Sequence, residues 1–256
     1  MIRVVQIEFW RFLRSIIRYP LELIGGVMGA AVGFALFFIG VRYLAGSALF
    51  GERLEAMVIS LLAWTLAFSL LSTSASTISE EALTGLMEQL ALTRPGLLGL
   101  VLVRAALSIL YIGLLNIPVF LSILATSGAR LDLQPLALLP LATLAFSALG
   151  LGLMLGGLAL VYKRVGQLLG VLQYVLLGLF LVRFEALTLP WNALGSLLPL
   201  VPSASALRIM LGQGQDPGWE LLLLAGVNAL AYLALGIGLF QRAIRRARQQ
   251  GSLGTY

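Results

Sequence analysis

The chain has 256 residues, of which 60% are hydrophobic and only 11% charged, and its 17 basic and 11 acidic side chains give a net charge of +6. Soluble domains carry about 25% charged residues, so the composition excludes a soluble globule and points to an integral membrane protein. Histidine and cysteine are both absent, which excludes disulfides, thiolate or imidazole metal sites and any histidine or cysteine nucleophile.

Residues 1–19 place Arg3, Arg11, Arg14 and Arg18 on one side of a helical wheel and Phe9, Phe12, Leu13 and Ile16 on the other. This is the pattern of an interfacial helix lying among headgroups, with Trp10 at the boundary. No short apolar core followed by a small-residue cleavage site occurs near residue 25, so the segment is not expected to be a cleaved signal. Six apolar stretches then predict spans at Leu21 to Val41, Met57 to Ser79, Ala105 to Thr126, Leu136 to Tyr162, Val165 to Val182 and Leu221 to Gln241. They are expected to be helices, because lipid offers the backbone no hydrogen bonds.

An even number of spans puts both termini on one side. That side holds twelve of the 17 basic residues, and the other holds Arg42, Arg53, Arg130, Arg183 and Arg208. The positive-inside rule therefore predicts a multi-pass protein of the inner (cytoplasmic) membrane with both termini cytoplasmic. Because the basic residues sort by membrane side and form no groove, nucleic acid is not expected as a partner.

Between the second and third spans, residues 79–95 read SEEALTGLMEQLALTRP, predicting a short amphipathic helix on the inner side. Ser79 suits its N-cap, and Glu80 and Glu81 suit its positive end. Leu83, Leu86, Met87 and Leu90 form an apolar face, with Glu81, Thr84, Gly85, Glu88 and Gln89 elsewhere. That face either seats in a partner or rests on lipid.

Within the spans, Gly25, Gly29 and Gly33, and separately Gly152 and Gly156, recur every four residues, a spacing that lets helices approach closely inside one subunit or between two. The inner half of the second span is rich in hydroxyls, including Ser69, Ser72, Thr73 and Ser76. They either line a wet path or bond back to their own helix carbonyls. No Asp, Glu or Lys lies deep in a predicted span, which disfavours proton-coupled transport. Arg104 is expected to snorkel to the headgroups. Asn116, Gln167, Gln173, Tyr174 and Asn228 read as interhelical polar contacts. Residues 183–220 are apolar but broken by Pro190, Pro199 and Pro202, predicting two short helices dipping into the outer leaflet. Residues 242–256 form a basic cytoplasmic tail.

In this order, the interfacial helix, TGLMEQLALTRP, YKRVGQL, the Pro-rich outer segment ending ALRIML and the closing LFQRAIRRARQQGSLG resemble the permease subunits of type-2 ABC exporters over nearly the whole chain. The coupling segment of such permeases commonly reads Gly-Thr-Leu-Glu-Gln-Leu, and Gly85, Glu88, Gln89 and Leu90 match it, whereas Leu86 and Met87 depart from it. The resemblance implies a single permease domain with an all-α integral membrane fold: six transmembrane helices, an N-terminal interfacial helix, a cytoplasmic coupling helix and a re-entrant outer hairpin between spans five and six. It further implies that Leu83, Gly85, Leu86, Met87, Glu88, Gln89 and Leu90 contact a separate ATPase present in two copies. A second permease copy, identical or homologous, is implied as well.

The chain holds no Gly-x-x-x-x-Gly-Lys-Ser/Thr loop, so it is expected not to be an enzyme and to hold no cofactor, with ATP and Mg in the partner. A lipophilic or amphipathic cargo, such as a drug, lipid or lipid-linked glycan, is expected along a path formed by Ser69, Ser72, Thr73, Ser76, Gln173 and Tyr174. The alternative is an integral membrane assembly factor or lipid-modifying protein without transport activity. The latter needs an acid/base cluster that the scattered carboxylates do not suggest.

Overall fold

The computed structural model describes residues 9, 10, 14, 18, 20–45, 52–83, 96–128, 131, 132, 134–162 and 165–249, and among these there is no strand. The helices are α1 (Pro20–Ala45), α2 (Glu52–Leu83), α3 (Gly96–Ser127), α4 (Leu138–Tyr162), α5 (Gly166–Leu181), α6 (Trp191–Leu197), α7 (Val201–Gly212) and α8 (Gly218–Gln249). A 3-10 turn at Pro135–Ala137 leads into α4, and another at Phe184–Ala186 follows α5. Five stretches are long and apolar enough to cross a bilayer, one each on α2, α3, α4 and α8 and one running from α5 to Ala186, while α1 carries a shorter apolar stretch at Ile24–Gly40.

The bundle is arranged around α4, which packs on α2 along one side and on α8 along the other. Glycine makes both contacts close. A Cβ on Gly152 would lie 2.9 Å from Ser74 Cβ and 3.1 Å from Leu71 O, and one on Gly156 would meet Ile78. On the opposite flank a Cβ on Gly150 would lie 2.7 Å from Leu233 N, and one on Gly236 would lie 2.8 Å from Gly150 Cα. Residue numbers rise together across both contacts, so α2, α4 and α8 run in the same direction. Their ends beyond residues 83, 162 and 249 therefore share one end of the bundle.

Several boundaries differ from the hydropathy reading. α2 runs unbroken past Ser79 to Leu83, so Ser79 lies inside a helix and caps nothing. No helix breaker intervenes, and Ile78 and Ala82 continue the apolar side that packs with Leu97, Val101 and Phe240. α3 starts at Gly96, nine residues ahead of the expected span. The basic residues after the last span do not end α8, which continues to Gln249 with Ala243, Ile244 and Ala247 buried and Arg245 and Arg246 exposed. An amphipathic last turn of this kind keeps packing while its arginines leave the hydrocarbon.

The glycine-stripe question divides. Gly152 and Gly156 are packing glycines within this chain, whereas a Cβ on Gly25, Gly29 or Gly33 of α1 would meet nothing within 4 Å. Instead α1 is held by Phe34 and Phe38, stacked at 6.0 Å and packed with Val58, Leu61, Val119 and Ile123. Of the predicted interfacial helix, Phe9, Trp10, Arg14 and Arg18 are described, all helical and exposed.

Gly150→Leu and Gly236→Leu are each expected to lower the melting temperature of the detergent-solubilised chain, with a loss at or above the ~1–3 kcal/mol typical of overpacking, because the new side chain meets backbone. Gly29→Leu is expected to leave that melting temperature unchanged.

Candidate functional site

The most completely built polar site lies in the outer segment 183–220, where the sequence predicted short helices but no polar site. Arg208 sits on α7 and is 2% exposed. Its Nε donates to Glu185 Oε1 at 2.8 Å and its Nη2 to Glu185 Oε2 at 2.7 Å, a bidentate pair of the kind in which the planar guanidinium excels. Nη2 also donates to Ser205 Oγ at 3.0 Å, and Nη1 donates to Ser60 Oγ and to Phe180 O, both at 3.1 Å. A guanidinium has five N–H groups, and all five are used here. Ser205 Oγ in turn donates to Glu185 Oε2 at 2.8 Å and Ser60 Oγ to Ala56 O at 2.8 Å.

This arrangement ties α7 to α2 through Ser60, to α5 through the Phe180 carbonyl, and to the turn after α5 through Glu185. With no N–H left to offer, Arg208 holds the fold and presents nothing to a ligand. Sequence reading placed Arg208 and Glu185 in one outer segment without pairing them. The only available signal was one buried-capable cation and one carboxylate 23 residues apart.

The same region contains a bend. α6 and α7 meet at 108°, and buried Leu200 at their junction adopts φ 70°, a left-handed conformation that costs a non-glycine residue about 1–2 kcal/mol. The carbonyls at the end of α6 are satisfied from α8: Asn228 Nδ2 donates to Ser196 O and Leu198 O, both at 3.1 Å, and Tyr232 Oη donates to Leu197 O at 2.9 Å. Asn228 is thus the interhelical contact that was expected of it. Asn116 is not, because its Nδ2 donates to Ile112 O of its own helix at 2.7 Å.

At the opposite end of the bundle Glu81 and Arg104 form an ion pair between α2 and α3. Arg104, expected to snorkel, is paired: it stands eight residues inside α3, and a buried carboxylate on the neighbouring helix compensates its charge. Glu81, assigned by pattern to the polar side of a separate short helix, is that carboxylate. The pair closes a small cavity of about 40 Å³ lined by Thr73, Thr77 and Ser108 among others.

Of the expected path residues, Ser69, Ser72, Thr73 and Ser76 are half-buried on α2. Ser72 Oγ and Ser76 Oγ donate back to Ser69 O and Thr73 O, each at 3.3 Å. Gln173 and Tyr174 lie on α5. The Gln173 carbonyl accepts Trp64 Nε1 at 3.1 Å, and Tyr174 is 72% exposed on the outside of the bundle. Thr73 faces the Arg104 cavity while Tyr174 faces outward, so the six residues do not converge on one cavity of this chain. Among the expected coupling residues Leu83 ends α2, while Gly85, Leu86, Met87, Glu88, Gln89 and Leu90 lie outside the described residues. Among the described residues no three carboxylates cluster.

No family model and no curated protein matches the sequence. The apolar helices and their packing define the class: this is a multi-pass helical membrane protein.

Arg208→Met is expected to destabilise the chain by about 3–5 kcal/mol, the cost of leaving a buried partner charge uncompensated. The double variant Arg208→Met, Glu185→Met should recover a large part of that loss. Thermal unfolding of the two variants and of Glu185→Met in one detergent measures this coupling.

Proposed function

We propose that the chain is the transmembrane permease subunit of an ATP-driven type-2 ABC exporter, working with a separate ATPase in two copies and a second permease copy. The observation that carries this reading is where the helix ends on either side of the segment 84–95 lie. The helices that bracket it, α2 and α3, are joined by the Glu81–Arg104 pair, at the same end of the bundle as the α4–α5 turn and the end of α8. The helix ends that adjoin the segments most similar to such permeases on the motor side thus lie on one face of the bundle, which supports this reading. By the arginine count that face is cytoplasmic.

The α6–α7 pair supports the rest of the layout. α6 has 7 residues and α7 has 12, too few for either to cross hydrocarbon that needs about 20. The end of α6 is held by Asn228 and Tyr232, about 15–20 Å along α8 from its start at 1.5 Å per residue. Beyond α7, by contrast, Gln134 Nε2 donates to Gly214 O at 3.2 Å, beside the α3–α4 turn. The pair therefore reads as a re-entrant outer hairpin between spans five and six, with α1 as the first of six spans. α5, the span that buries least of itself in this chain, leaves its Tyr174 face for a second copy. A lipophilic or amphipathic cargo would then pass between the two copies near Ser69, Ser72, Thr73, Ser76 and Gln173.

The purified chain is expected to bind no ATP, and equilibrium binding of a labelled nucleotide checks this. Specific micromolar binding removes the reading. With its ATPase, Met87→Asp is expected to weaken assembly and cargo-stimulated hydrolysis by several kcal/mol of buried-carboxylate cost while insertion persists. Assembly and stimulation equal to the native complex would place that apolar face on lipid. Because the chain has no cysteine, a single cysteine at position 216 has no labelling background. An impermeant reagent is expected to label it in intact cells, whereas labelling only after lysis reverses the topology.

A further inference from the structure

α3 and α4 both pack on the core without an extensive contact of their own, and between them lies a cleft of about 660 Å³. Its floor is α2, from Ile59 to Leu70, and its upper wall is α7 through Leu207 and Leu211. The lining is apolar apart from Asn116 and Gln134. Asn116 is satisfied by its own helix, and Gln134 lies at the rim, bonded to Asp132 and Gly214. The cleft opens sideways, because the lining residues Ile117 and Leu138 are 50% and 70% exposed.

We infer that this cleft is a binding site for one acyl chain of a bilayer lipid, from the leaflet on the side of the α3–α4 turn. Three observations select that occupant. Ile59 to Leu70 spans about 16 Å at 1.5 Å per residue, which matches the roughly 15 Å of one leaflet of a 30 Å hydrocarbon core. The volume lies within the ~300–1,000 Å³ of pockets that enclose drug-sized ligands, so one chain is enclosed rather than merely adjacent. Of the two polar lining residues, Gln134 lies at the rim beside Asp132, level with a headgroup, and Asn116 turns an amide N–H back onto its own helix, so the rest of the lining offers a polar ligand nothing to bond. Leaving such a cleft empty forfeits dispersion contacts on every wall, and hydrocarbon is the solvent at its opening. Gly113 leaves room on the α3 wall, since a Cβ there would meet nothing within 4 Å.

This inference depends on the chain's membrane setting and not on the exporter reading, and its test contains no ATPase. The full chain is reconstituted in phosphatidylethanolamine and phosphatidylglycerol vesicles doped with a phosphatidylcholine whose acyl chain ends in a diazirine. After irradiation, adducts are mapped by mass spectrometry. Adducts on Leu66, Leu70 and Ile109 are expected to exceed those on the exposed α5 residues Val171 and Val175 by about tenfold, a preference of about 1.4 kcal/mol. Gly113→Leu and Ala142→Phe, on opposite walls, are each expected to bring the cleft adducts down to the α5 level without changing the α5 adducts. Equal labelling of cleft and α5 in the native chain overturns the inference. So does cleft labelling that survives both substitutions, or a cleft that gives cross-links to a second copy of the chain in place of lipid.

Discussion

Hydrocarbon is as apolar as leucine, so helices in a bilayer gain little from burying leucine against leucine and must gain from fit and from satisfied polar groups. The close approach of α4 to α2 and α8 meets the first requirement. At Gly150 and Gly236 backbone lies against backbone, and a single methyl group would enter the neighbouring main chain. Three parallel helices joined in this way form a rigid slab. The remaining elements attach to its faces: α5 and α7 to α2, α6 to the side of α8, and α3 and α1 successively beyond α2.

The second requirement is met by a few polar residues at the places where the backbone or a charge would otherwise be stranded. Arg208 and Glu185 neutralise one another and anchor α7. Asn228 and Tyr232 take the carbonyls that α6 leaves open at its end, a necessity for a short helix without water. Thr143 and Ser203 share a buried hydrogen bond of 2.9 Å between α4 and α7. Removing any one of these exposes a partner rather than merely deleting a contact, so the α6–α7 pair is a region where single polar substitutions are costly.

Hydropathy located the apolar helices because a span is a local property of about 20 consecutive residues. It misplaced their ends by up to nine residues because amphipathic extensions such as Ser79 to Leu83 and Ala243 to Gln249 are held by tertiary partners that no window sees. The pairing of Arg208 with Glu185 and of Arg104 with Glu81 was invisible for the same reason. Glu185 and Arg208 are brought together by a bend at Leu200, a residue with no turn signature. Glu81 and Arg104 meet across the segment between α2 and α3, where each alone reads as an interfacial charge. The fate of the glycine stripes was also beyond the sequence, since Gly29 and Gly152 have the same spacing pattern and opposite surroundings.

These attachments differ in strength, and the difference has a mechanical consequence. α2, α4 and α8 share glycine contacts, and the Arg208 network fastens α5 and α7 to the same unit. α3 is joined to that unit by the Glu81–Arg104 pair and the Leu97 and Val101 packing at one end and by the Val119 and Ile123 packing toward the other, with the lateral cleft beside it. A force applied to the segment linking α2 and α3, as the proposed ATPase would apply it, would act on one helix held by glycine contacts and one held by side chains and an ion pair. Under that proposal, a movement of α3 would widen or narrow the cleft. An acyl chain in the cleft would then resist closure of α3 against α4, linking the lipid inference to the transport proposal through a single moving helix.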